Sequence, residues 1–183
     1  GGYTTAPGFD GANNLSYALS DNWNLWGWEA IYAQVMSNFL KVERESKGKY
    51  DEFYALATII KVQTLHKAAD AWGPIVYSKL GTTDAAIGYD SQEEAYGLMF
   101  KDLDFAVTEL TKRIDAGEQT SFTNTDRSTY KGSYEKWVRY ANSLRLRLAM
   151  RIVKVNPALA KAEAEKAISQ KFGVMTVASD SFI

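Results

Sequence analysis

The stretch "ADAWGPIVYSKLG", residues 69–81, decides the fold. Upstream of it, Phe53, Tyr54, Leu56, Ile59, Ile60, Val62 and Leu65 are apolar nearly all round a helix, which predicts burial on more than one side. That helix runs into Trp72 and stops at Gly73, where glycine supplies a left-handed terminator. Pro74 has no backbone N–H and forbids continuation. "IVYS" then reads as an extended connector. Trp72 is expected to be largely buried, and Trp72 and Tyr77 to pin the connector across the helix ends, setting where the next helix pair begins.

Working outward, glycines and caps divide the chain into about five main helices. The first spans about 21–46 and the second about 51–72, with Gly48 between them. So short a link predicts an antiparallel hairpin. The third opens at "SQEE", residues 91–94, where Ser91 and Glu94 form a capping box, and it ends near Gly117. The fourth follows Ser133 and runs to about Val155. The fifth starts at Asn156-Pro157, a cap followed by proline at the first helical position, and closes near Gly173. Tyr96, Met99, Leu103, Ala106, Leu110 and Ile114 make one apolar stripe. Trp137, Ala141, Leu144, Leu148, Ile152 and Val155 make another, expected to face the third helix with arginines at its edges. No long alternating run argues for a sheet. The predicted fold is all-α, with irregular tetratricopeptide-like stacked helix pairs. Residues 117–133, rich in Ser, Thr, Asn and Gly, read as an exposed loop, and residues 1–20 as an irregular segment.

Composition excludes several functions. A formal net charge of −1 gives no general attraction to nucleic acid or anionic lipid. No apolar run approaches the ~20 residues of a membrane span. The absence of cysteine excludes disulfides, zinc-thiolate sites and thiol nucleophiles. His66 lies in an apolar helix with no nucleophile-elbow pattern, so it reads as a hydrogen-bonded packing residue. There is no glycine-rich phosphate loop. Glu43/Glu45 and Asp102/Asp104 lie two apart on predicted helices and point to different sides, which makes poor acid–base pairs. The predicted fourth helix is basic (Lys136, Arg139, Arg145, Arg147, Arg151, Lys154) and the third acidic, so packing between neighbours accounts for both without nucleic acid. No metal, cofactor or catalytic residue is expected.

The strongest candidate site is "NWNLWGWEAIY", residues 22–32. Trp23, Trp26 and Trp28 cannot share one helical face. Trp28 and Tyr32 lie four apart and are expected in the core. Trp23 and Trp26 fall in the first turn, beside Asn22 and Asn24. A pyranose presents an apolar C–H face that stacks on an exposed indole, with amides near its hydroxyls. Capping the bundle end with tryptophan is the competing reading.

"YALATIIKVQTLHKAADAWGPIVYSKL" (54–80) resembles the SusD/RagB-like glycan-binding lipoproteins of Gram-negative outer membranes, in which an aromatic-Gly step leads into a "GDIPYS" or "GPIPYS" segment. Trp72, Gly73, Pro74, Ile75, Tyr77 and Ser78 match, and Val76 replaces the second proline. "YDSQEEAYGLMFKDLDFAVTEL" (89–110), "YEKWVRYANSLRLRLAMRI" (134–152) and "FGVMTVASDSF" (172–182) follow in family order, although "VASD" lacks the usual Asn. The resemblance covers roughly residues 25–182. It implies a non-enzymatic component that binds oligosaccharide or polysaccharide, has no cofactor, and works with a SusC-type TonB-dependent transporter. It implies a cell-surface lipoprotein of the outer membrane, attached through a lipid anchor outside this chain. It also implies that residues 1–183 form one helical-repeat domain, the N-terminal part of a larger protein. A helical-repeat adaptor binding only protein is the alternative, with a carbohydrate-active enzyme behind it.

Overall fold

The computed structural model describes residues 21–83, 86–118 and 122–182, with side chains from Leu25 onward. Residues 1–20 lie outside the described ones. The elements are α1 (Asp21–Glu29), a π-helical turn (Ala30–Met36), α2 (Ser37–Ser46), α3 (Asp51–Trp72), α4 (Gln92–Asp115), α5 (Tyr134–Ile152) and α6 (Pro157–Ser169), followed by a short 3₁₀ turn (Ala178–Asp180). α1, the π turn and α2 follow one another without a break, so five helical rods stand where five are expected. From α2 to α6 each helix packs against the next in sequence, and α3 also touches α5. The architecture is all-α and tetratricopeptide-like.

Local chemistry sets the helix ends. Asp51 and Glu52 occupy the first turn of α3, where carboxylates favour the positive end of the helix dipole. Gly73 ends α3 at φ +85° and donates its N–H to the Ala69 carbonyl. Both halves of the Ser91/Glu94 capping box form at α4. Asn156 accepts from the Leu159 N–H and Pro157 follows it at α6.

α3 is the central helix: Ile59, Val62, Leu65, Ala68 and Ala69 are fully buried, facing the Met99, Leu103, Ala106 and Leu110 stripe of α4. Buried alanines on α3, α4 and α5 let the backbones approach closely. Each buried leucine contributes ~1.5–3 kcal/mol. The α5 stripe holds from Trp137 to Leu148. Val155 departs from the expectation: the helix ends at Ile152, so Val155 falls in the following turn and is 82% exposed.

Of the α5 arginines, Arg139, Arg147 and Arg151 keep the expected edge positions and Arg145 departs from them. Arg145 is fully buried, bridging Asp104 on α4 and Glu163 on α6. Arg151 pairs with Asp70 on α3, and Arg139 with Glu135 and Asp180. The basic face of α5 is therefore neutralised by several segments rather than by α4 alone. Most described residues of the Ser/Thr-rich loop before α5 are exposed, as its composition predicts, with an anchor at its end. Tyr130 is buried and donates to the Asp180 carbonyl at 2.6 Å, tying the loop to the C-terminal turn.

Candidate functional site

The connector after α3 is fastened on both sides. Ile75 and Asp90 exchange backbone hydrogen bonds of 3.1 and 2.8 Å, an isolated antiparallel bridge. The Asp90 carboxylate accepts from the N–H groups of Tyr77 and Ser78, each at 2.8 Å, and from the Ser78 hydroxyl. Burial alone would raise the Asp90 carboxyl, but these hydrogen bonds outweigh it and hold it below its usual value. Tyr77 is buried and pins the connector. Its hydroxyl donates to Asp102 at 2.6 Å, Lys61 donates to the same oxygen at 2.8 Å, and the Lys61 ammonium sits 4.2 Å from the Tyr77 ring centroid. Burial, and then Asp102, push the Tyr77 phenol well above its ordinary range, so it stays a proton donor. Asp102 and Asp104 point apart: one serves the connector, the other Arg145. Neither is free to act as an acid or base.

Trp72 is where the structure corrects the sequence reading. It is 42% exposed, not buried. The last residue of a helix at the bundle end has core on one side only, so part of the indole is covered and the rest meets solvent. The covered edge meets Gly27 of α1 and the Trp28 ring, whose centroid is 5.6 Å away in a T-shaped contact. Trp28 also touches Tyr89 at 5.7 Å and Tyr32 at 4.6 Å. Tyr32 donates to the Val76 carbonyl at 3.0 Å, and burial pushes its phenol up to about 12. Trp28 and Tyr32 pack on the core as expected, half-buried.

α1, the end of α3 and the connector therefore meet in one aromatic cluster of Trp28, Tyr32, Trp72 and Tyr89, in which Tyr89 is 62% exposed; Trp26, two residues before Trp28 on α1, is 67% exposed. Trp26 is exposed as a stacking residue requires. The side chains of Asn22, Trp23 and Asn24 lie outside the described residues, on the turn just ahead of it. Sequence reasoning missed Trp72 and Tyr89 as members of this surface. Tyr89 carried a signal, since a lone aromatic in the polar "GYDSQ" has no apolar periodicity to place it in the core.

A second concavity, a cleft of about 550 Å³, lies among Asp70, Tyr96, Arg151, Val155 and Asn156. Its polar groups already serve one another: Asp70 accepts from Tyr96 at 2.6 Å and from Arg151 at 2.9 Å. Among the described residues no group of acids and histidines could hold a metal, and no helix is long and apolar enough to cross a membrane. His66 is buried, its Nδ1 3.1 Å from the Val62 carbonyl, so it is a packing residue.

The model of the SusD-like family, described as SusD and RagB outer membrane lipoproteins, matches residues 1–183. This chain belongs to the SusD-like family. Among solved structures, a chitin-binding SusD homologue from Flavobacterium johnsoniae is 63% identical with a TM-score of 0.90, over 93% of this chain and 35% of that one. A SusD homologue from Bacteroides vulgatus is 36% identical with a TM-score of 0.83, over 91% of this chain and 34% of its own. A SusD-like protein from Bacteroides thetaiotaomicron is 33% identical with a TM-score of 0.80, again over 91% and 34%. No curated protein matches the chain. The chain spans about a third of the length of these SusD-like relatives.

Proposed function

We propose that this chain is the N-terminal helical part of a non-enzymatic, cell-surface glycan-binding lipoprotein. In this reading residues 1–183 form one helical-repeat domain. The complete protein captures chitin-type oligosaccharides and passes them to a SusC-type TonB-dependent transporter. It needs no cofactor, and a lipid anchor outside this chain attaches it to the outer membrane. The observation that carries the reading is the 63% identity to a chitin-binding SusD homologue, maintained over 93% of the chain. The exposed Trp26 supports it, since an indole offers the flat apolar face on which a pyranose ring stacks. Asn22, Trp23, Trp26 and Asn24 are the proposed ligand-binding residues, the indoles for stacking and the amides for hydroxyl or N-acetyl groups. Gly73, Pro74 and Tyr77 have a structural part, holding the connector on which the surface rests.

The test uses the full-length protein. Calorimetry with β-1,4-linked N-acetylglucosamine oligosaccharides should give saturable binding. Trp23→Ala and Trp26→Ala should weaken it while circular dichroism stays that of the folded protein. Co-purification with the transporter, followed separately, tests the partnership. Retained transporter binding without any glycan binding would replace this reading with that of a protein-only adaptor.

A further inference from the structure

α1 carries Trp26, yet little fastens α1 to the bundle. α2 and the π turn both lie against α3, while α1 continues beyond them to reach Trp72, the last residue of α3. Among the described residues, one side-chain hydrogen bond joins residues 25–36 to a segment outside their own rod. It runs from the Tyr32 hydroxyl in the π turn to the Val76 carbonyl of the connector, at 3.0 Å. Phenylalanine would cover the same apolar surface at this half-buried position. What tyrosine adds is the hydroxyl, which costs free energy to withdraw from water unless it is bonded. Its acceptor is held on both sides. Ile75 is bridged to the Asp90 backbone, and Tyr77 gives its N–H to the Asp90 carboxylate and its hydroxyl to Asp102.

We infer that Tyr32 is the positioning residue of the glycan site: seated on Val76, it sets the angle at which α1 leaves the π turn and so where the Trp26 ring stands. The inference rests on the glycan-binding reading of Trp26. Tyr32 and Trp26 belong to one continuous helical rod and lie roughly 9 Å apart along it by the helical rise. A change in the seating of Tyr32 is therefore carried to the indole. A ring that must meet a pyranose face tolerates misplacement of only about 0.5 Å and roughly 10–20°. Trp28 steadies the same helix between Trp72 and Tyr89. That contact is apolar and non-directional, so it resists separation but leaves sliding open. A hydrogen bond has a preferred direction and closes that freedom.

The full-length protein, labelled with fluorotryptophan, is compared with Tyr32→Phe, Trp26→Ala and the double variant. Calorimetry follows binding of the hexasaccharide of β-1,4-linked N-acetylglucosamine. Fluorine NMR follows the Trp26 resonance, assigned by its loss in Trp26→Ala. Tyr32→Phe should shift that resonance and weaken binding roughly threefold to tenfold, the range of one neutral hydrogen bond. In the Trp26→Ala background the same change should alter affinity by less than about twofold, because Tyr32 acts through that ring. Tyr96→Phe, which removes the hydroxyl that α4 gives to Asp70, is the control and should leave the Trp26 resonance unmoved. Wild-type affinity in Tyr32→Phe overturns the inference while leaving the glycan reading standing. An equal loss of affinity with and without Trp26 also overturns it, and makes Tyr32 a structural residue only. If the wild type binds no hexasaccharide, the glycan reading falls, and the resonance alone decides whether Tyr32 positions Trp26.

Discussion

The indole edge of Trp72 lies directly over Gly27: a β-carbon at position 27 would stand 3.0 Å from its Cη2 atom. Alanine is favoured over glycine in a helix interior by roughly 1 kcal/mol, so an unobstructed Gly27→Ala change would stabilise α1. Here the indole must shift by a few tenths of an ångström, and its partial exposure allows it to yield. The expected result is stability within about 1 kcal/mol of wild type together with an altered near-ultraviolet circular dichroism spectrum, because the Trp28–Trp72 contact moves. An unaltered spectrum would show that the two residues do not touch.

Trp72→Ala should cost less than loss of a core tryptophan. Full truncation of a buried aromatic costs about 3–5 kcal/mol, but Trp72 is 42% exposed. About 2–3 kcal/mol is expected, by scaling to the covered part. Urea denaturation measures it, and a cost of about 5 kcal/mol, that of a fully buried ring, would return it to the interior.

Arg145 is the most demanding buried group. Removing it strands Asp104 and Glu163, although Lys166 still reaches Asp104. Breaking a buried pair costs about 3–5 kcal/mol, and the remaining lysine places Arg145→Met toward the lower end. Chemical denaturation should show the loss. Arg147→Met, at an exposed position on the same helix, should change stability by no more than about 0.5 kcal/mol.

Leu148 is fully buried on α5. Leu148→Asp places an unpaired charge in the interface between helices. The variant should unfold or aggregate, visible by circular dichroism and gel filtration. Wild-type behaviour would mean that the α5 stripe does not face the core.

His66 predicts a pH dependence of known sign. Burial lowers its pKa below the ordinary 6.5, with the Val62 hydrogen bond opposing, and its Nε2 has no hydrogen-bond partner. The unfolded chain therefore takes up a proton that the folded chain refuses. This contribution is fully present above the unfolded value and is lost as pH falls through about 6.5 toward the lower folded value. Melting temperatures between about pH 7.5 and pH 5.5 should fall for wild type more than for His66→Gln. Parallel slopes would mean that His66 takes its proton equally well in the folded chain.

Much of the fold was legible because helix ends are local. Gly73-Pro74, the Ser91/Glu94 box and Asn156-Pro157 each act within a few residues of themselves, and all three stand where the sequence places them. Exposure was less legible because it depends on what arrives from elsewhere. Trp72 stays open because α1 covers only one edge, and Arg145 is enclosed because α4 and α6 bring carboxylates to it. Periodicity along α3 and α5 records neither event. For the candidate site, Trp26 could be singled out by its crowding with other tryptophans, while Trp72 and Tyr89 come together on Trp28 only through tertiary contact.

The π-helical turn at Ala30–Met36 has an evolutionary corollary. It lies between the tryptophans of α1 and the part of the rod anchored on α3 by α2. Each residue added to or removed from such a turn rotates everything ahead of it by about 100° about the helix axis. A one-residue deletion there would keep every tryptophan in the sequence yet swing Trp28 away from Trp72 and Tyr89. Homologues could thus re-aim the aromatic rings of α1 by indel alone, and residue-by-residue comparison would score this surface as intact.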